Sequence, residues 1–123
     1  MFLQLNHQKL EVFKVSQDLV VECYRFSDSL PNAEKFNIAQ QIRRAALSVT
    51  LNIAEGSSRK SEKERHRFFE ISRGSVIEID AALDLCENLK YCQRSNLENI
   101  GRLMVKLFAM LSKMIRSNTN EAQ

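Results

Sequence analysis

At 123 residues, 44% apolar and 27% charged, the chain has the length and composition of one globular domain that needs neither disulfides nor a metal to hold its core. Three glycines and one proline leave little material for turns, which favours long helices, and no apolar run approaches the roughly 18 residues of a membrane span. The net charge of +3 is too small for a wholesale polycation but is unevenly placed: residues 43–73 carry eight basic against four acidic side chains, and the rest carries ten against eleven.

Helix 1 is predicted from about Gln8 to Ser29. Leu10, Phe13, Val20 and Tyr24 form one apolar row, and Val12, Leu19, Cys23, Phe26 and Leu30 a neighbouring one. Pro31 ends it, because proline disfavours helical geometry in the residue before it. Helix 2 is predicted over about Ala33 to Glu55, with Ile42, Ala46, Val49 and Ile53 on one face and Leu47, Leu51 and Ala54 beside it. Next to that face runs a small or polar row: Ile38, Gln41, Ala45, Ser48, Asn52, Glu55. Gly56 is placed to close the helix in left-handed geometry.

Ser61-Glu62-Lys63-Glu64 is a capping-box pattern that opens helix 3, which runs to about Tyr91. Phe69, Ser72, Val76, Ile79, Leu83 and Cys86 step by three and four, and Ile71, Ser75, Glu78, Ala82, Leu85 and Leu89 form a second seam. Gly74 costs about 1 kcal/mol in a helix interior relative to alanine, so a close helix contact is expected there. A second capping box, Ser95 to Glu98, opens helix 4, whose row Leu97, Ile100, Met104, Leu107, Leu111 and Met114 continues to about Ser117. A frayed tail is expected over about residues 118–123. Four helices with short connections and no strand pattern predict an all-α protein, an antiparallel up-down-up-down four-helix bundle forming a single domain over 1–123. Two apolar rows on each of helices 1 to 3 exceed what one chain can bury, so self-association is expected.

Gln41-Ile42-Arg43-Arg44-Ala45, Ser48, Asn52-Ile53-Ala54-Glu55-Gly56, Arg59, Phe68, Gly74-Ser75 and Glu78, with Phe26, Pro31 and Phe36, resemble the signature of the intervening-sequence proteins encoded in insertions within bacterial 23S ribosomal RNA genes. Ser72 departs from that pattern, which more often has alanine. The resemblance implies a homopentamer that binds nucleic acid and has no catalytic activity or cofactor. The accessory proteins of diversity-generating retroelements are more distantly similar, and these act with a reverse transcriptase and its RNA.

Two sets of residues stand out. Arg43, Arg44, Arg59, Lys60, Lys63, Arg65, Arg67 and Arg73 could bind backbone phosphates of RNA or DNA, since phosphate contact needs dense positive charge rather than a fixed spacing. The plainer reading is a solvated helix start with intrahelical pairs such as Glu64 with Arg67. Phe68 and Phe69 are expected in the core, leaving no platform for base stacking and so little sequence preference. The alternative function is a scaffold whose basic corner docks an acidic protein such as a reverse transcriptase.

The second set is Gln41, Asn52, Glu55, Ser75 and Glu78, expected as a buried polar network between helices 2 and 3. Glu55 and Glu78 could also be a catalytic carboxylate pair, but no nucleophile or histidine accompanies them. Glu62, His66 and Glu70 step along helix 3 without the paired Glu-x-x-His motifs that carboxylate-bridged metal bundles use, so no metal is expected. Cys23, Cys86 and Cys92 are odd in number and lack CxxC spacing. Reduced thiols and a cytoplasmic location are expected.

Overall fold

The computed structural model describes the backbone of residues 1–122 and side chains as far as Arg116, so the expected frayed tail lies outside the fully described residues. Four helices carry the fold: α1 (Glu11–Asp28), α2 (Ile38–Ser57), α3 (Glu62–Asn88) and α4 (Glu98–Ala122). Short 3-10 turns at Asn6–Lys9, Asn32–Glu34 and Arg94–Leu97 connect or precede them, and no strand occurs among the described residues. Packing runs α1 to α2, α2 to α3, α3 to α4 and α4 back to α1, which closes an all-α four-helix bundle.

The three-and-four spacing chose the core. Ile42, Ala46, Val49 and Ile53 of α2 are buried, as are Phe69, Ser72, Val76, Ile79, Leu83 and Cys86 of α3 and Ile100, Met104, Leu107 and Leu111 of α4. Of the two rows on α1, Val12, Leu19, Cys23, Phe26 and Leu30 are core, while Leu10, Phe13 and Val20 are half-buried and Tyr24 is exposed. The second rows elsewhere stay outside: Leu47 and Leu51 of α2, and Ile71, Leu85 and Leu89 of α3, are all exposed. Hydroxyls tie the helices together across the core. Ser72 Oγ donates to the Val49 carbonyl at 2.8 Å, and Thr50 Oγ1 to Ser16 Oγ at 3.0 Å.

Several helix ends differ from the sequence expectation. Helix 1 is split, because Leu10 is extended and separates the turn Asn6–Lys9 from α1. Helix 2 starts at Ile38 rather than Ala33. Asn37 leaves helical geometry (φ −127°, ψ −109°), and its side chain donates to Glu34 Oε1 at 2.9 Å. Ser61 does cap α3, accepting from the Glu64 N–H at 3.3 Å. The box before α4 sits two residues early: the Gln93 N–H donates to Asn96 Oδ1 at 2.8 Å. α3 closes on Lys90, in left-handed geometry (φ 64°), with the Tyr91 N–H returning to the Cys86 carbonyl at 2.9 Å.

Two of the three helical glycines depart from their expected roles. Gly56 is not left-handed; it is buried inside the last turn of α2. A Cβ there would sit 2.8 Å from Phe69 Cε1 and 2.9 Å from Phe68 Cβ, so the missing side chain is what lets α2 meet α3. At Gly74, where close contact was expected, a Cβ would meet nothing within 4 Å.

Candidate nucleic-acid interface

The Gly56 contact fixes the turn from α2 into α3, and the basic residues are built on that turn. Arg59 is half-buried. Its guanidinium lies 5.0 Å from the centre of the Phe68 ring and donates to Glu55 Oε1 at 2.7 Å. Arg65 reaches back to donate to the carbonyls of Lys60 at 2.7 Å and Arg59 at 3.1 Å, so it holds the turn's backbone. These two arginines are therefore partly structural. Lys60, Lys63 and Arg67 are exposed and make no ion pair among the described residues. The expected Glu64–Arg67 pair does not form. Arg59 Nε and Glu62 Oε1 are buried without a hydrogen-bond partner among the described residues. The carboxylate sits in the first turn of α3, where the helix dipole favours negative charge.

The other three basic candidates lie elsewhere. Arg43 and Arg44 are at the start of α2, about 20 Å back along its axis at 1.5 Å per residue. Arg43 donates to the Lys35 carbonyl at 3.1 Å. Arg73 turns to α4, donating to Ser112 Oγ at 3.1 Å with its guanidinium 5.7 Å from the Phe108 ring centre. So the eight candidates resolve into a cluster of five and three outliers. The structure also adds two that a linear count of charge overlooked. The His66 ring hydrogen-bonds to the Ile115 carbonyl, which brings the end of α4 to the start of α3. Lys113 and Arg116, both exposed, flank Ile115 at that end of α4. Phe69 is buried, as expected, but Phe68 is only half-buried and is already faced by Arg59.

The polar set divides too. Ser75 Oγ donates to Ser48 Oγ at 2.8 Å, and Asn52 Nδ2 to the same hydroxyl at 3.0 Å and to the Ser48 carbonyl at 2.8 Å. Ser48, Asn52 and Ser75 thus form a real α2–α3 network. Glu55 is not part of it, since it faces Arg59. Gln41 and Glu78 are exposed, make no side-chain hydrogen bond among the described residues, and line a shallow outer depression with Ile38, Ala82 and Leu85. A carboxylate in water needs no buried partner, so the expected network loses its acidic members.

The remaining titratable groups look structural. Burial, then the Glu22 carboxylate, pushes the Cys23 thiol up to about 12, and burial chiefly pushes Cys86 up to about 11, so neither is a reactive thiolate near neutrality. Tyr91 donates to Glu34 Oε2 at 2.7 Å; this bond, with a second from Asn37, holds the Glu34 carboxyl below its ordinary range and raises the phenol. No group of three or more His, Cys, Asp or Glu converges among the described residues, and Glu62 and Glu70 do not gather around His66. Among the described residues no helix is long and apolar enough to cross a membrane.

An all-α bundle of four helices with a basic turn at one end is the class of protein that these residues define. The chain belongs to the 23S rRNA-intervening sequence protein family, whose pattern matches residues 8–113. It is similar to a crystal structure, at 1.70 Å, of a protein of the S23 ribosomal protein family from Bacteroides thetaiotaomicron VPI-5482. The two are 24% identical over 85% of this chain and 97% of that one, with a TM-score of 0.78. At that identity the likeness speaks for the fold; the protein itself carries the description "unknown function". No curated protein matches the chain.

Proposed function

We propose that this protein is a non-catalytic, cytoplasmic, self-associating bundle that binds RNA or DNA through backbone phosphates at the α2–α3 turn. The observation that carries the reading is the exposed trio Lys60, Lys63 and Arg67, free of acidic partners, on a turn held rigid by Arg59, Arg65 and Gly56. Side chains locked by their own ion pairs have little to offer a phosphate, whereas these three can release counterions on binding. Membership of a family described by its association with 23S rRNA insertions supports the same reading.

The antiparallel up-down-up-down arrangement is part of the proposal. It is supported by the paired residues, since Ser48 meets Ser75 while Val49 meets Ser72, and Ser112 meets Arg73 while Ile115 meets His66. In each helix pair, one number rises as the other falls. A homopentameric ring is the assembly we propose, supported by the exposed Leu47, Leu51, Ile71, Leu85 and Leu89. A ring would repeat the basic turn around one face and multiply weak contacts.

The test uses Lys60→Gln, Lys63→Gln and Arg67→Gln together. Arg59 is excluded because its stacking on Phe68 would confound folding. Stability should change by less than about 1 kcal/mol per residue. Binding to several unrelated RNA and DNA sequences should weaken alike, and the slope of log affinity against log salt should fall by up to about three per contacted subunit. Wild-type protein that fails to bind nucleic acid at low salt, or a triple variant that binds equally well, refutes the reading. Saturable capture of one acidic protein after nuclease treatment, a reverse transcriptase included, would assign the same turn to protein docking.

A further inference from the structure

Two apolar features have no counterpart within the chain. Before the turn Asn6–Lys9, Met1, Phe2, Leu3 and Leu5 are 97%, 88%, 67% and 44% exposed. On the outer side of α3 and α4, Val76, Ile77, Met104, Val105, Phe108 and Ala109 line an open groove of about 500 Å³, whose only charged lining residue is Asp80. The depression between α2 and α3 is different in kind, being edged by Glu34, Asn37, Gln41 and Glu78.

We propose that the segment Met1–Leu5 of one subunit lies in the α3–α4 groove of a neighbouring copy. The inference rests on the reading that the chain self-associates and names the contact. Within one chain the segment does not lie in the groove, since its side chains are exposed. Leu5 is held by its N–H donating to Gln8 Oε1 at 2.8 Å, and the turn that follows packs on α1 and α2. Phe2 is three residues before Leu5, a span of at most about 11 Å. The groove lies on α3 and α4, whereas that turn packs on α1 and α2.

The sizes agree. Four apolar side chains at roughly 100 Å² each, with a like area of groove, remove on the order of 800 Å² from water. In a two-fold dimer both exchanges fall in one interface, giving about 1,600 Å², the size of a stable protein–protein contact. In a ring each interface holds one exchange, and exposed Ile71, Leu85 and Leu89 are available to complete it. The family pattern begins at residue 8, after the segment.

The experiment mixes two full-length chains, each also carrying Cys92→Ser, one with Phe2→Cys and the other with Val105→Cys, and treats them with a short bismaleimide. Cys23 and Cys86 are buried and stay silent. A mixed cross-linked pair is expected, at least ten-fold above the yield when Val105→Cys is replaced by Asp18→Cys, an exposed position on α1. Phe2→Ser with Leu3→Ser, which touches no core residue, should weaken self-association at least ten-fold by light scattering across a dilution series. An oligomer that gives no mixed pair above the control overturns the arm and leaves the assembly standing. A wild-type protein of about monomer mass, 14.2 kDa, overturns both. A chain carrying Phe2→Cys and Val105→Cys together that cross-links to itself at high dilution overturns the exchange between copies.

Discussion

Gly56 and Gly74 should respond in opposite directions to the same substitution. Both lie inside helices, so alanine at either position removes the conformational cost of glycine, a gain of about 1 kcal/mol. At Gly74 nothing opposes the gain, because a Cβ meets no atom within 4 Å, and Gly74→Ala should stabilise by about 0.5–1 kcal/mol. At Gly56 the new methyl would sit 2.8 Å from the buried Phe69 ring and 2.9 Å from Phe68 Cβ. An ordinary contact needs at least half an ångström more. The ring is packed in the core and the Phe68 Cβ is bonded to backbone, so α2 and α3 must separate. Overpacking costs about 1–3 kcal/mol, here about 2–3 because neither neighbour can yield, and the net for Gly56→Ala is a loss of about 1–2. Thermal melts at one fixed protein concentration check both, since self-association links stability to concentration. For a chain of this length 1 kcal/mol shifts the midpoint by about 3–5 °C, so the variants should bracket the wild type by about 5–15 °C in all. A Gly56→Ala protein as stable as Gly74→Ala refutes the close-approach account. The turn that carries Lys60 and Lys63 would then lose its structural anchor.

Two further outcomes follow from single side chains. Glu78→Ala removes an exposed carboxylate with no hydrogen bond among the described residues, so folding stability should stay within about 0.5 kcal/mol; a loss of assembled mass in light scattering without a loss of fold would place Glu78 at a subunit contact, and a large drop in the melting midpoint at unchanged mass would refute its exposure. Tyr91→Phe removes the bond that lowers Glu34 and raises Tyr91, so its destabilisation should be greatest in the middle of the pH range. For the lowered carboxyl, the stabilising effect is present above its ordinary value of 4.5 and lost as pH falls through the folded value; for the raised phenol, it is present below 10.0 and lost as pH rises through the folded value. Melts of both proteins across pH should therefore converge at each end, and a pH-independent difference refutes the linkage.

Periodicity determined much of this protein from sequence. Rows spaced by three and four marked Ile42 to Ile53, Phe69 to Cys86 and Ile100 to Leu111 as core, because on a helix that spacing is a single face whatever it packs against. Ser61 was legible as a cap for the same reason: the bond to the Glu64 N–H is local. What periodicity does not carry is the identity of the partner. The row with Ser48 and Asn52 bonds to Ser75, while Gln41 of that same row and Glu78 of the same seam as Ser75 are left in water, and only helix placement separates those cases. The sequence pattern put Gly56 at a left-handed helix end and Gly74 against a neighbouring helix, and neither holds. One is buried under Phe69 and the other faces open space, because Gly74 lies on a side of α3 turned away from α2 although Ser72 and Ser75 beside it both bond to α2. Charge was misjudged likewise. Counting along the chain grouped eight basic residues, although Arg43 bonds back to Lys35 and Arg73 to Ser112 of α4, and it passed over Lys113 and Arg116 at the end of α4 that His66 meets through Ile115.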